Sequence, residues 1–396
     1  MGKPRPQKKK SSKSSKKSVL GPGGSISKAK MSQDPSALLD QATILLETLR
    51  VDEALATAQD ALDLAAGNAS VQLQAVNLLG EINVELGEID TARGYFLTAV
   101  QQDLNGSIPE AEGGGAEKFL WLAQLSEQGG ADSVQWFEKG VSSLRQTLQH
   151  LEGKTKAEDV ANAEMKKTKM ANALCAVAEI YMTDLSWEED AEARCEALIS
   201  EALVVTPNAP EVLQTLASVR ISQLKTEEAQ EALKKSMAQW KEKAPEDPTI
   251  PDFPVRVSLA RLLMEVNLEL EALEVVERLI LEDDQSVEAW YLGGWCLYLL
   301  AEKQEAPNDI KDDEESPRHA SLIASREWLK QSLKLYNVLQ YEDDRLRDHA
   351  MELVQEINQE IGEDMDDSEA EGEGEGEDWD EEIEVVSDDD HEMADS

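Results

Sequence analysis

The chain has 396 residues, with 38 Lys+Arg against 81 Asp+Glu, a formal net charge of −43 and a pI near 4.3. That balance excludes an ordinary nucleic-acid binder, which needs a basic face to neutralise phosphates, and it suits a basic partner. Three cysteines, Cys175, Cys195 and Cys296, are too few and odd in number for a disulfide framework and fit a reducing compartment. No apolar run approaches the roughly 18 residues of a membrane span, so no membrane partner is expected.

The charge is unevenly placed. Residues 1–33 hold 10 Lys+Arg and no acid, and residues 363–396 hold 19 Asp+Glu and no base. The middle keeps 28 basic and 62 acidic residues, a net of −34, so the acidity is not only a tail effect. The N-terminal stretch is Lys, Ser, Gly and Pro. It is predicted to be a disordered basic tail, and it lacks the apolar core of a secretory signal. Its clusters Lys8, Lys9, Lys10 and Lys16, Lys17 read as a candidate nuclear-import signal, or else as a solvated tail.

From Asp34 to about Ile361 the texture is Ala, Leu and Glu at helical spacing, with no convincing strand. Small and large residues recur in a fixed order. The first repeat has Ala42, then Ala54, Ala58 and Ala61. The second has Leu79 and Gly80, then Ala92, Phe96 and Ala99, and both Ala42 to Gly80 and Ala54 to Ala92 span 38 residues. This is the pattern of a tetratricopeptide repeat, in which small residues let two antiparallel helices approach and large ones fill the gap.

The third repeat is degenerate: Phe119, Leu122 and Leu125, a turn at Gly129 and Gly130, then Trp136, Phe137 and Gly140. Gly113, Gly114 and Gly115 before it read as linker. A polar helix or loop is expected over 152–169. The fourth repeat carries Leu174, Ala178 and Tyr181, then Cys195, Ile199 and Ala202, with helices expected to extend around Trp187. The fifth has Leu213, Ala217, Ala229 and Leu233. Pro245, Pro248, Pro251 and Pro254 predict an extended connector.

The sixth repeat has Ala260, Ala272 and Val276. The seventh has Trp290, Gly293, Gly294 and Tyr298, then an insertion over 304–318, then Ala324, Trp328 and Tyr336. An amphipathic helix over 343–361 would cap the stack. The expected fold is therefore all-α: a tetratricopeptide-repeat solenoid of about seven helix pairs with a C-terminal capping helix, flanked by disordered tails. Its boundaries are 1–33, 34–362 and 363–396.

Nothing in the sequence calls for catalysis. His150, His319, His349 and His391 share no metal-ligand spacing, and no phosphate-cradling loop follows a strand. His349 reads as a surface residue. No enzyme, cofactor or metal is expected. A binding surface is, and counting from the small residues places its inward-facing positions. These are Asn77, Glu81, Glu179, Glu211, Gln214, Glu288, Tyr291, Trp295 and Tyr298, unless they are packing residues or a solvated face. Carboxylates with aromatic neighbours suit a Lys/Arg-rich segment. The basic clamp by which co-chaperones of this fold hold acidic peptides is not matched, since Leu39 and Thr43 occupy its first two positions.

The whole layout resembles a known family. The Lys/Ser N-terminus, the acidic repeats, the capping helix and the tail EGEGEGEDWDEE are similar to the fungal dedicated assembly chaperones of large-subunit ribosomal protein number four. The resemblance implies a non-enzymatic chaperone. It would bind that newly made basic protein by the ribosomal protein's own long extended loop, keep it soluble in the cytoplasm and escort it to the nucleus. An import receptor would be a further partner, with no direct contact to nucleic acid. The alternatives are an acidic tetratricopeptide-repeat histone chaperone and a scaffold with several partners.

Overall fold

The structure is a computed structural model that describes residues 34–304 and 316–362. The basic tail with Lys8, Lys9, Lys10, Lys16 and Lys17, most of the 304–318 insertion and the acidic tail lie outside the described residues. The described residues contain fifteen α-helices and no strand.

They form two compact units: the described residues up to Ala99 together with Ala111–Gly113, and Val100–Glu110 with the described residues from Gly114 onward. The first unit is built on α1 (Pro35–Glu47), α2 (Val51–Leu64), α3 (Ala69–Glu85) and the start of α4 (Ile89–Gln102). Asp34 accepts a hydrogen bond from Ser36 N, and Asn68 accepts one from Val71 N, so each side chain satisfies an amide that its helix start leaves unpaired.

Ala42, Ala54, Ala58, Ala61, Leu79 and Ile82 are buried together, which lets the helix backbones close on one another. Gly80 shows why a small residue is required. A Cβ there would sit 2.6 Å from the Phe96 ring, which is itself fully buried. The matched small and large residues of the second repeat therefore touch as expected.

The second unit continues the pairing. It holds α5 (Glu117–Gln124) with α6 (Gly130–Leu151), α7 (Ala157–Met182) with α8 (Ala191–Val205), and α9 (Pro210–Ser222) with α10 (Thr226–Ala238). Then come α11 (Phe253–Glu265) with α12 (Glu269–Glu282), α13 (Val287–Lys303) with α14 (Pro317–Leu339), and α15 (Asp344–Ile361) packed on α14 and α13. Prolines open α9, α11 and α14, where the missing N–H costs nothing. At Gly293 an added Cβ would meet the Trp328 ring, and at Gly294 it would meet Leu329. The seventh pair thus closes on its glycines. Helix α15 buries Leu346, Ala350, Leu353 and Ile357 on one face, as a terminal cap requires.

Several local expectations fail for identifiable reasons. The polar stretch before Lys169 is not a separate element: from Ala157 it is the beginning of the 26-residue α7. The fourth pair therefore lengthens at its N-terminal end. Trp187 instead lies in the α7–α8 connection with 78 % of its surface exposed. The proline-rich stretch is folded, not extended, because Trp240 just past α10 is fully buried and anchors a run of turns. Arg278 lies over the Trp240 ring, 5.1 Å from its centroid, and donates to the Lys241 and Lys243 carbonyls at 2.5 and 3.2 Å.

The glycines 113–115 are not slack linker either. A Cβ on Gly114 would fall 2.0 Å from the Ile108 carbonyl oxygen. The adjoining loop is held by Lys118, whose buried ammonium donates to Asp103 at 2.8 Å and to the Gly115 carbonyl at 2.6 Å. Burial lowers the Lys118 pKa, the largest effect, and Asp103 opposes it.

The turn inside several pairs has one signature. Seven residues after the small residue the backbone is left-handed: Leu49 (φ 58°), Gly87 (φ 74°), Leu224 (φ 59°) and Asn267 (φ 63°). Leucine is strained there, because its Cβ crowds the following carbonyl. Leu224 is also 91 % exposed, so no packing holds it. Leu224→Asn is therefore expected to raise stability by about 0.5–1 kcal/mol, measured by chemical denaturation.

Candidate client-binding cleft

Helices α7, α9 and α11 present matching faces to one recess of about 560 Å³ in the second unit. Asn172, Cys175 and Glu179 come from α7; Glu211, Gln214, Thr215 and Ser218 come from α9; Ser258 and Arg261 come from α11. The register explains the gathering. On α7 and α9 the residues six and three before the small Ala178 and Ala217, and one after, all point the same way. Three of the expected residues, Glu179, Glu211 and Gln214, are thereby brought together.

Their environments differ. Gln214 is 6 % exposed, and its Nε2 is buried without a hydrogen-bond acceptor. Glu179 is exposed overall, but its carboxylate lies toward the recess and accepts from Thr215 Oγ1 at 3.3 Å. Burial raises the Glu179 pKa, against the smaller lowering by Thr215. The same burial pushes the Cys175 thiol up to about 12, so this cysteine is an inert wall residue. Arg261 stands at the α11 side and is ion-paired with Glu288.

The raised pKa has a consequence for stability. Above the unfolded value near 4.5, the folded state holds its proton longer than the unfolded chain. Stability therefore falls as pH rises through that window. Glu179→Gln is expected to flatten the decline between pH 4.5 and neutrality and to raise the unfolding midpoint at neutral pH, checked by thermal melts across pH.

The other expected residues are placed elsewhere. Asn77 is half-buried on α3, and its Nδ2 donates to the Gly113 carbonyl at 2.6 Å, so the chain itself uses it. Glu81 lies on the same helix, half-buried and with a partner of its own. Glu288 is neutralised by Arg261.

The aromatic trio faces the capping helix. The Tyr291 hydroxyl meets His349 Nδ1 at 2.7 Å, and Trp295 packs edge-on to His349 with centroids 5.1 Å apart. Tyr298 donates to Glu356 Oε2 at 2.9 Å. Burial drives both tyrosines up to about 12. These aromatics hold α15 in place. His349 is correspondingly a packed residue, not a surface one, because α15 turns it onto α13.

Asn172, Thr215, Ser218 and Arg261 were missed. Applying the same three offsets uniformly from every small residue would have found Asn172, Ser218 and Arg261. Asn172 also lines a neighbouring recess of about 250 Å³ with Trp121, Phe137 and an ion pair of Glu117 and Lys169. Among the described residues no cluster of three or more His, Cys, Asp or Glu is arranged to hold a metal, and no helix is long and apolar enough to cross a membrane.

Helix pairs that present carboxylates and carboxamides from a repeated register define a binding protein of the tetratricopeptide-repeat class. Comparison with known proteins narrows the class. No family model matches the chain. A protein of Emericella nidulans described as a probable assembly chaperone of rpl4 is 60 % identical over 400 residues, covering 100 % of both chains. A Schizosaccharomyces pombe protein of the same description is 36 % identical over 286 residues, covering 72 % of this chain and 80 % of its own. A solved structure of an assembly chaperone of RpL4 (Acl4, residues 1–338) is 53 % identical, with a TM-score of 0.64. It covers 68 % of this chain and 98 % of that one. The chain belongs to this family of assembly chaperones, whose members are not enzymes.

Proposed function

We propose that the chain is a dedicated chaperone of the large-subunit ribosomal protein rpl4, which it binds when newly made, keeps soluble and escorts from cytoplasm to nucleus. The observation that carries this reading is the recess bearing Glu179 and Glu211, on a chain whose relatives are described as assembly chaperones of rpl4. A protein destined for ribosomal RNA carries cationic segments, and carboxylates that cover them keep them from binding RNA early. The net −34 of the middle of the chain favours the same partner. Nuclear escort is supported by the two lysine clusters, Lys8 to Lys10 and Lys16 with Lys17, which an import receptor would read.

Tagged full-length chain purified from its own cells should return rpl4 in near-equal amount. The complex should weaken as salt rises, because exposed charge pairs are screened over about 10 Å at 0.1 M. Recovery of mixed histones without rpl4 would sink the reading, as would several unrelated partners with no basic bias. Nuclear accumulation that persists after Lys8, Lys9, Lys10, Lys16 and Lys17 are changed to alanine would remove those residues from the import step.

A further inference from the structure

The first unit shows how this repeat face holds a peptide, because the chain lays one of its own segments there. Gln74 Nε2, six residues before Gly80, donates to the Ala111 carbonyl at 2.7 Å. Asn77 Nδ2, three before Gly80, donates to the Gly113 carbonyl at 2.6 Å. Ser70 Oγ reaches the intervening Glu112 carbonyl at 3.4 Å. A 3-10 turn ends at Glu112, so these carbonyls have no intrahelical partner and are open to side-chain donors. The approach is close: Gly113 is left-handed (φ 84°), and a Cβ on it would lie 2.6 Å from the Gln74 amide nitrogen.

In the second unit the two offsets are shared between neighbouring helices, α7 and α9, each of which carries one side-chain amide with no such occupant. Asn172 stands six residues before Ala178 and is exposed; Gln214 stands three before Ala217. Both line the 560 Å³ recess, and Gln214 is the buried amide whose Nε2 lacks an acceptor. A buried donor left unmade is a penalty on the fold, which an arriving acceptor relieves. Neither carboxylate of the recess, Glu179 or Glu211, is bonded to that Nε2, and Glu179 accepts from Thr215 instead; both carboxylates also favour a cation. The recess therefore asks for a ligand that offers a neutral acceptor and a positive charge together. A peptide with a basic side chain offers both, through its carbonyl and its ammonium or guanidinium.

We propose that this recess reads the backbone carbonyls of a bound peptide with the side-chain amides of Asn172 and Gln214, and takes a Lys or Arg side chain of the same peptide against Glu179 and Glu211. The proposal rests on the reading of the chain as a receptor for a basic client, and adds a contact that does not depend on charge. Carbonyl readout tolerates any sequence, whereas the carboxylates select basic residues. Arg261, held by Glu288, bounds the recess on the α11 side.

The test uses the full chain and two probes: a capped octapeptide of alternating arginine and glycine, and spermine, a polyamine of matched charge with no carbonyl. Calorimetric titration should show the peptide bound at least about fivefold more tightly than spermine. Asn172→Ala with Gln214→Met should weaken the peptide about tenfold, the loss expected for two neutral hydrogen bonds, and leave spermine within about twofold. Glu179→Gln with Glu211→Gln should weaken both probes. Equal losses for the two probes in the amide variant, or an unchanged peptide, would overturn the proposal. Should Gln214→Met lower the unfolding midpoint, Asn172→Ala alone decides, because that exposed side chain supports no core; about a threefold loss confined to the peptide is expected. Binding of rpl4 to the wild-type chain is measured alongside. Failure there overturns the client reading, while the ratio of peptide to spermine still judges this one.

Discussion

Glu179→Lys combined with Glu211→Lys is expected to weaken rpl4 binding about a hundredfold, with the helical content and the unfolding midpoint almost unchanged. Reversal replaces attraction for a basic segment by like-charge contact, which costs several kcal/mol across an interface. A hundredfold corresponds to about 2.7 kcal/mol, the lower end of that range. The fold tolerates the change because neither carboxylate carries packing. Glu179 makes one long contact, to Thr215, and its raised pKa marks a charge the fold holds at a cost. Glu211 is half-buried in the first turn of α9. Titration by calorimetry at two salt concentrations checks the result. Unchanged affinity would move the client to another face.

Trp240→Ala is the substitution with the largest expected effect on stability, a loss of about 3–5 kcal/mol, the usual range when a buried large aromatic is truncated. The ring is fully buried and belongs to the same core as Leu233, Met237, Val257 and Ala260. Its removal would also strip Arg278 of the surface it lies on, and with it the clamp on the Lys241 and Lys243 carbonyls. Trp240→Phe separates packing from polarity. The indole Nε1 is buried without a partner, so phenylalanine keeps most of the contact and loses only an unmade donor. It should cost less than half of what alanine costs. Urea unfolding of the three proteins measures both, and an alanine variant as stable as the phenylalanine one would show that Trp240 does not anchor the connector.

The two predictions differ in how far the sequence alone led to them. Glu179 and Glu211 follow from counting outward from Ala178 and Ala217, because a helix of fixed pitch puts offsets of three, six and one on a single face. Trp240 is silent in the sequence. It lies among Lys, Glu and Pro residues that read as an extended connector, and no periodicity marks it. Only the space left between α10, α11 and α12 makes it a core residue. The aromatic trio misled for a related reason. Tyr291, Trp295 and Tyr298 do lie in the expected register, but α15 is laid over them, and nothing in their own spacing announces the covering helix.

The sequence by itself determined the local terms of this protein: the helix pairs, the small residues at which they close, the acidity and the kind of partner it suits. Those properties depend on neighbours along the chain and on summed charge. Only the tertiary structure decided which inward residues are open. Asn77 is taken by the chain's own Gly113, Glu288 by Arg261 and Tyr291 by His349, whereas Glu179, Glu211 and Gln214 share a recess. Occupancy of a face is set by segments distant in sequence, through hydrogen bonds and burial that no local pattern encodes.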